Sequence, residues 1–252
     1  MACRLHIETS TNVCSVAVSE DGQCVFERVE RGERGAGAER LGTMVDEALD
    51  YADTHAFFTP GETGAPRNAL DAVSVSCGPG SYTGLRIGVS MAKGICYGRD
   101  LRLIAIPTLE LMCVPVLLRE KVTARGVDGA VTEHELPEDA LLCPMIDARR
   151  MEVYAALYDR ALREVRPVGA DVVSPDTYRT WLDERPVYFL GNGADKCMET
   201  IGHPNAYCID GVEPLARWMQ PLADRRFLDG RFEDVAYFTP FYLKDFVAIR
   251  KK

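Results

Sequence analysis

Histidine is scarce in this sequence. Its 252 residues include only four, at His6, His55, His134 and His203. No two of them stand at the spacing of metal ligands, so the pattern argues against a zinc site. The serines of the polar turns, Ser10 and Ser81, likewise have no nearby histidine that could activate them. We therefore expect neither a metal ligand nor a catalytic residue of these kinds.

Long apolar runs and excess positive charge are also lacking. No stretch approaches the roughly 20 apolar residues of a membrane-spanning helix, and the first residues show no signal-peptide pattern. The 29 Lys and Arg residues are outnumbered by 38 Asp and Glu, which gives a net charge of −9. Because nucleic acid backbones are bound by cationic surfaces, this chain alone is not expected to hold one. The composition predicts a cytoplasmic protein without membrane contact.

Paired cysteines are absent, although cysteine itself is not. Nine occur, an odd number, and none forms a Cys-x-x-Cys motif. Most lie in apolar runs, at Cys14, Cys77, Cys96, Cys113, Cys143 and Cys208. This usage predicts buried, reduced thiols rather than a metal or disulfide framework.

The chain is organised around one central stretch. A β-branched run over 72–76 predicts a strand, which Gly78-Pro79-Gly80 ends because proline lacks an N–H group and glycine tolerates positive φ. A helix over 84–97 follows, capped by Ser81 or Thr83, and residues 103–106 begin another strand. The β-loop-α-β order predicts a parallel sheet.

The central helix has two unusual features. It carries two apolar stripes, Leu85, Val89 and Ala92 on one side and Ile87, Met91 and Ile95 on another. It also contains two small-x-x-x-small pairs, Gly84 with Gly88 and Gly94 with Gly98. Since an interior glycine costs about 1 kcal/mol relative to alanine, a close backbone approach is expected to offset it. A helix that is apolar nearly all round should also pack on two sides.

The flanking sequence predicts a duplicated α/β architecture. Strands over 5–8, 13–19 and 23–28 form a meander with an Asp21-Gly22 turn, and an amphipathic helix over 39–51 follows. A second meander is predicted by the strands over 141–146, 152–158 and 165–173, and helices are predicted over 174–184 and 214–228. Residues 120–139 read as an exposed polar insertion of unassigned role. We expect two units, 1–106 and 107–252.

The glycine-rich loop is the main candidate for binding an anion. Backbone N–H groups before a helix N-terminus can point at a ligand and meet the positive end of the helix dipole. The candidate residues are Gly78, Gly80, Ser81, Thr83, Gly84 and Arg86. The loop lacks the Gly-Lys-Ser/Thr sequence of a P-loop. From spacing alone, an anion site and a tight structural turn remain equally open.

Two other polar clusters are weaker candidates for a functional site. Glu8 follows the first strand beside Thr9, Ser10 and Asn12, where a carboxylate could hold a metal with nucleotide phosphates. It lacks acidic neighbours, so a surface carboxylate is favoured. The charged turn over 147–150 could form a polar site, but charged hairpin residues are usually solvated.

The motifs taken together resemble the bacterial TsaB (YeaZ) family. The central stretch 77–94, Cys-Gly-Pro-Gly-Ser-Tyr-Thr-Gly-Leu-Arg-Ile-Gly-Val-Ser-Met-Ala-Lys-Gly, is closely similar to it. Residues 7–10, 145–154 and 240–244 also match, in the same order over essentially the whole chain. The Gly-Pro-Gly segment alone also occurs in the catalytic paralogue, TsaD.

The resemblance implies an α/β, actin-like ATPase fold (ASKHA, the sugar kinase and actin superfamily) of two duplicated subdomains. It implies a non-catalytic partner of TsaD in tRNA threonylcarbamoyladenosine modification, at the adenosine next to the anticodon. TsaD performs the chemistry, and TsaE, an ATPase, is recruited by the heterodimer. The chain would contact tRNA only as part of the complex. No cofactor would be bound stably, although ATP or ADP at the complex interface remains a candidate.

The comparison with the paralogue implies a degenerate site. The His-x-x-x-His metal pair of TsaD falls on Thr108 and Met112, which suit that metal poorly. The acidic residues that follow the first strand in TsaD are replaced here by Asn12 and Val13. A glycine that lets phosphate approach in TsaD is replaced here by Ser15. An active ATPase or phosphotransferase, and a peptidase, remain as alternatives that these replacements disfavour. A purely structural dimer with no TsaD contact is a third alternative.

In the family, two helices of the first subdomain contact TsaD. Carried onto this sequence, the partner-binding residues would be Leu41, Met44, Val45, Ala48, Leu85, Gly88, Val89, Met91, Ala92 and Ile95. Gly88→Leu is then expected to abolish binding while the monomer stays folded. Without TsaD, the same apolar surface could drive homodimerisation.

Overall fold

The computed structural model describes residues 2–32, 36–55 and 70–244. The chain divides into two compact units, one of residues 1–108 with 214–252 and one of residues 109–213. This differs from the division expected at 106, because residues 214–252 belong to the first unit. Their contacts explain it: the Ala216 N–H donates to Ser15 Oγ at 2.8 Å, and Arg4 forms an ion pair with Asp224.

The elements are numbered in chain order. The strands are β1 Cys3–Glu8, β2 Val13–Glu20, β3 Gln23–Arg31, β4 Ala72–Gly78, β5 Arg102–Pro107, β6 Val122–Gly126, β7 Val131–His134, β8 Leu141–Asp147, β9 Glu152–Tyr158, β10 Glu164–Val172, β11 Val187–Leu190 and β12 Ala206–Ile209. The helices are α1 Ala36–His55, α2 Tyr82–Arg99, α3 Thr108–Leu117, α4 Arg179–Leu182, α5 Asp195–Ile201 and α6 Gln220–Leu228. None of the described helices is long and apolar enough to cross a membrane.

The first unit is built on a sheet in the order β3-β2-β1-β4-β5. β1, β2 and β3 pair antiparallel as a meander, whereas β1, β4 and β5 run parallel. This confirms the predicted meander and the predicted β-loop-α-β unit. Leu5, Ile7 and Val75 share a core with the buried stripes of α1 and α2, so both helices cover one face of the sheet.

The opposite face of the same sheet is polar yet buried. His6 is fully buried, and its ring nitrogens contact Ser74 Oγ and Ser19 Oγ. Arg4 pairs with Asp224 of α6, and its guanidinium lies 4.6 Å from the centre of the Phe227 ring. Such groups are tolerated inside a protein because each finds a hydrogen-bond or charge partner. The C-terminal part of the chain thus covers a hydrogen-bonded layer rather than an apolar one.

The second unit repeats the plan of the first. Its sheet has the order β10-β9-β8-β11-β12-β6-β7. β8, β9 and β10 form an antiparallel meander, and β8, β11 and β12 run parallel. In each unit a meander is followed by a helix, a strand, a helix and a strand. Five strands of the second sheet thus follow the same order as the five strands of the first, and β6 and β7 extend the second sheet.

Three predicted segments differ from the structure. The insertion over 120–139 contains the hairpin β6–β7, whose alternate residues Val122 and Ala124 are buried. The helix expected over 174–184 is confined to α4, because Ser174 N–H donates to Thr177 Oγ1 at 2.8 Å in a local turn. The helix expected over 214–228 begins as a 3-10 helix over Ala216–Met219 and becomes α-helical at Gln220. Pro221 lies in the first turn of α6, where its missing N–H costs no helical hydrogen bond.

The cysteines confirm the expected thiol chemistry. All nine are free, and seven are buried. Burial raises the pKa of Cys3, Cys14, Cys96 and Cys208 to about 12. These thiols are therefore protonated at neutral pH and act as small apolar side chains.

Candidate functional site

The glycine-rich loop joins the end of β4 to the start of α2. Ser81 is the N-cap of the helix, in extended conformation, and its Oγ accepts a hydrogen bond from the Gly84 N–H at 3.2 Å. This confirms one of the two predicted caps. The helix ends at Asp100, whose N–H donates to the Cys96 carbonyl in a left-handed turn.

The loop is fixed by the turn between β1 and β2. The Ser81 N–H donates to the Ser10 carbonyl oxygen at 2.7 Å. A Cβ atom on Gly80 would overlap that same oxygen, and one on Gly84 would overlap the Thr9 carbonyl oxygen. The glycines therefore allow two backbones to touch. This supports the tight-turn interpretation, because the N–H groups of Ser81 and Gly84 already have partners within the chain.

The C-terminal segment 240–244 packs against the loop. Gly78 has φ of +108°, and a Cβ atom there would overlap the Phe241 carbonyl oxygen. The Phe241 N–H donates to the Cys77 carbonyl at 2.7 Å. Next along the tail, the Tyr242 ring lies 4.6 Å from that of Tyr82. The motif at 240–244 thus helps to hold the loop.

Glu8 is a buried group of this region rather than a surface carboxylate, which corrects the sequence-based expectation. Its side chain is fully buried, and Oε1 accepts from the Ser10 N–H at 2.5 Å and from Ser10 Oγ. Burial raises the pKa of this carboxyl to about 7, against the opposing effect of the hydrogen bonds from Ser10 and Ser76. Burial thus favours the protonated form of Glu8 more than the protonated form of an exposed glutamate is favoured.

The outward face of α2 forms a groove of about 690 Å³. Its lining residues are Tyr82, Thr83, Arg86, Ile87, Ser90, Met91, Gly94 and Ile95. Ile87, Met91 and Ile95 are half-buried, while Arg86, Ser90 and Gly94 are exposed. The Arg86 guanidinium lies 5.5 Å from the centre of the Tyr82 ring at one end of the groove. Two candidate anion residues, Thr83 and Arg86, thus belong to an apolar groove.

The structure separates the two predicted stripes of α2. Leu85, Val89 and Ala92 are buried in the chain's own interior, whereas Ile87, Met91 and Ile95 line the groove. Of the ten expected partner-binding residues, eight are buried and so unavailable to a partner, namely Leu41, Met44, Val45, Ala48, Leu85, Gly88, Val89 and Ala92. Only Met91 and Ile95 keep exposed surface. The sequence could have indicated this, since the two stripes differ in direction around the helix.

The glycine pairs of α2 divide in the same way. A Cβ atom on Gly88 would overlap Thr9 Oγ1, so Gly88 serves packing within the chain. Gly94 and Gly98 have no atom within 4 Å of their Cβ positions and are exposed. This contact argues against the expectation that Gly88→Leu leaves the monomer folded, because the added side chain would meet Thr9.

Three of the positions compared with the paralogue's reactive groups are buried in the structure. Thr108 and Met112 lie one turn apart on α3, and both are buried. Ser15 is fully buried, and its hydroxyl accepts the Ala216 N–H. Within the described residues, no group of three or more His, Cys, Asp or Glu side chains is placed to hold a metal ion.

Comparisons with known proteins relate the chain to the TsaD and TsaB proteins. The family model for TsaD, tRNA N6-adenosine threonylcarbamoyltransferase, matches residues 37–182, more than half of the chain. The chain is 26% identical to the tRNA threonylcarbamoyladenosine biosynthesis protein TsaB of Haemophilus influenzae, over 98% of this chain and 95% of that protein. It is also 26% identical to the Escherichia coli protein of the same name, over 98% of this chain and 96% of that one.

A solved structure shares the fold. YeaZ from Pseudomonas aeruginosa superposes with a TM-score of 0.73 at 24% identity, and the match covers 96% of this chain and 100% of that one. The chain belongs to the tRNA N6-adenosine threonylcarbamoyltransferase family and, within it, to the TsaB (YeaZ) branch.

Proposed function

We propose that this chain acts in tRNA threonylcarbamoyladenosine biosynthesis as the non-catalytic partner of a TsaD-type subunit, which carries out the transfer. The proposal is supported by two relatives named for this pathway that match over nearly their whole length. It is also supported by the match to the transferase family itself, since a paralogue of an enzyme is well suited to pair with it.

The observation that carries the proposal is the outward face of α2. Ile87, Met91 and Ile95 recur every four residues and present partly exposed apolar side chains. Ser90 and Gly94 stand between them and leave space for a closely approaching helix. An apolar groove with small residues at its floor fits the apolar stripe of a partner helix better than it fits water.

A non-catalytic role is supported by the internal contacts at the compared positions. The Ser15 hydroxyl is engaged with Ala216 where an approaching phosphate would need open backbone. Thr108 and Met112 offer a hydroxyl and a thioether in place of imidazoles, and neither is a good ligand for that site.

The fold is proposed to be actin-like, with two duplicated subdomains. The support is the same strand order, meander first and then two parallel strands, in both units. The internal duplication at 1–106 and 107–252 is kept as a proposal about ancestry, with the tail returning to the first unit.

The partner contact is tested by calorimetry with the TsaD-type subunit of the same organism. Met91→Asp places a charge in the groove and should weaken binding at least tenfold, because the carboxylate must be desolvated on association. The matched control is Val172→Asp, which changes a 71% exposed valine of β10. Equal affinity for the Met91 variant and the wild type would overturn the proposed surface.

Further members of the assembly follow from the same proposal. The heterodimer recruits TsaE and meets tRNA as a complex in the cytoplasm, and the chain alone can associate with a second copy through the same groove. ATP or ADP at the complex interface is a candidate ligand. Co-purification of TsaE with the heterodimer, with and without ATP, tests the recruitment, and sedimentation of the isolated chain tests the homodimer.

A further inference from the structure

The hairpin between β8 and β9 has an unusual tip. Arg149 and Arg150 both have positive φ, 76° and 51°, and both side chains are exposed. The left-handed region is unfavourable for residues with a Cβ atom and is normally left to glycine, asparagine or aspartate. Two consecutive arginines therefore occupy a backbone shape that other residues adopt at lower cost.

Another hairpin of the chain also places two consecutive residues at positive φ, and there it uses ordinary turn residues. The hairpin between β2 and β3 turns at Asp21-Gly22, with φ of 47° and 83°. This is a two-residue turn, for which Asp-Gly and Asn-Gly are preferred, whereas four residues separate β8 from β9. In either turn, glycine, asparagine and aspartate adopt positive φ at lower cost than arginine. Since the sequence uses the easier solution at one hairpin, arginine at both positions of the other calls for a reason outside local folding.

A lysine and an aspartate hold the strained tip in place. Lys196 Nζ donates to the Arg150 carbonyl at 2.5 Å and to the Glu152 carbonyl at 2.9 Å, and it forms an ion pair with Asp147. Asp147 Oδ1 also accepts the Arg149 N–H at 3.0 Å. These contacts engage the backbone of the tip and neutralise its nearest carboxylate.

The guanidinium groups themselves remain available. Within the described residues, neither Arg149 nor Arg150 makes a side-chain hydrogen bond or an ion pair. A rigid backbone that presents two planar cations matches the non-bridging oxygens of a phosphate, which arginine binds through paired hydrogen bonds.

We propose that the hairpin tip at Arg149 and Arg150 contacts the phosphate backbone of tRNA directly. This rests on the proposed function, which brings an RNA to the complex. A net charge of −9 disfavours a broad RNA-binding surface on this chain. The contact is therefore local, and it positions the RNA without reading its sequence.

The test measures binding of a substrate tRNA transcript to the assembled heterodimer by fluorescence anisotropy at several salt concentrations. The double variant R149N/R150G should weaken binding about tenfold or more. It should also lower the slope of log affinity against log salt by about 1 to 2, because up to two phosphate contacts are lost. The conservative variant R149K/R150K keeps the charge and should bind with intermediate affinity.

Two controls separate this contact from unfolding and from general charge. R149N/R150G should unfold at the same or a higher temperature than the wild type, since asparagine and glycine adopt positive φ at lower cost than arginine. R119A/R160A removes two other exposed arginines of the same unit and should leave tRNA affinity unchanged.

The possible outcomes decide between the two proposals. If R149N/R150G assembles normally and binds tRNA as tightly as the wild type, the tip contact is wrong. If the variant instead loses the TsaD-type subunit or TsaE, the arginines bind a protein and the tip contact is likewise wrong. If the wild-type subunits never associate, the proposed function fails, and the tip contact, which rests on it, fails with it.

Discussion

The Thr9 carbonyl oxygen occupies the space into which any side chain at residue 84 would project, so Gly84 is required there by contact with Thr9. The contact joins the turn after β1 to the first turn of α2. The contact explains why the helix has a glycine at this position despite the cost to helix stability, since an alanine side chain would force the two segments apart.

Replacing this glycine should destabilise the chain. Gly84→Ala is expected to lower the free energy of unfolding by about 1–3 kcal/mol, because the added methyl group has no room. Gly94→Ala is the matched control, and it should raise the free energy by roughly 0.5–1 kcal/mol, since its Cβ position is open. Urea titrations compare the variants, and equal stability of Gly84→Ala and the wild type would contradict the packing role.

Leucine at two glycines of α2 should give opposite phenotypes. Gly88→Leu should unfold the chain at a lower temperature, because the side chain would meet Thr9. Gly94→Leu should leave the melting temperature near that of the wild type but lower the affinity for the TsaD-type subunit, because the leucine would block the groove. Calorimetry measures the melting temperature of both variants and their affinity for the TsaD-type subunit. A folded Gly88 variant that binds poorly would restore the original sequence-based prediction.

The buried Glu8 should make stability depend on pH. Its pKa is raised from 4.5 to about 7, so the folded chain keeps a proton that the unfolded chain releases between these values. The contribution of Glu8 therefore decreases as pH rises through this window, by about 3 kcal/mol in total. Below pH 4.5 Glu8 is protonated in both the folded and the unfolded chain, so its ionisation does not lower the free energy of unfolding.

Glu8→Gln isolates this effect from other titrating groups. The pKa of His6 is lowered to about 3, chiefly by burial, and its contribution changes with pH in the opposite sense in both proteins. The variant's stability relative to the wild type should thus increase between pH 4.5 and pH 8. Urea titrations across this range measure it, and a constant difference would show that Glu8 is ionised in the folded chain.

Removing Asp224 should leave a buried cation without its partner. The Arg4 side chain is only 4% exposed, whereas Asp224 is 29% exposed. Asp224→Asn is expected to cost roughly 3 kcal/mol in the free energy of unfolding. Glu184→Gln, which alters an exposed ion pair with Arg185, should change it by less than about 0.5 kcal/mol. Similar costs for the two variants would mean that water reaches Arg4.

Much of the fold followed from patterns that lie within one element. Alternating residues and the Asp21-Gly22 turn predicted the first meander, and the β-branched run with its glycine stop predicted β4 and the following loop. These signals are local, because a period of two or of 3.6 residues reports which face of a strand or helix is buried. Elements governed by local side-chain turns, such as the region before α4, were predicted less well.

The site was predicted only in part. The sequence marked α2 and its glycines, yet it did not say which stripe meets the sheet and which meets a partner. It placed Glu8 on the surface, although the side chain lies under other elements. It treated Arg149 and Arg150 as a solvated turn, because positive φ at both residues cannot be read from their identities.

By itself, the sequence determined the two strand meanders, the glycine-rich loop, the reduced thiols and the resemblance to the TsaB family, since each rests on neighbouring residues. Only the tertiary structure decided that Gly84 and Gly88 face Thr9 while Gly94 faces outward, and that the chain's tail completes the first unit. The reason is that these contacts join residues far apart in the chain, and their partners are fixed by packing rather than by local preference.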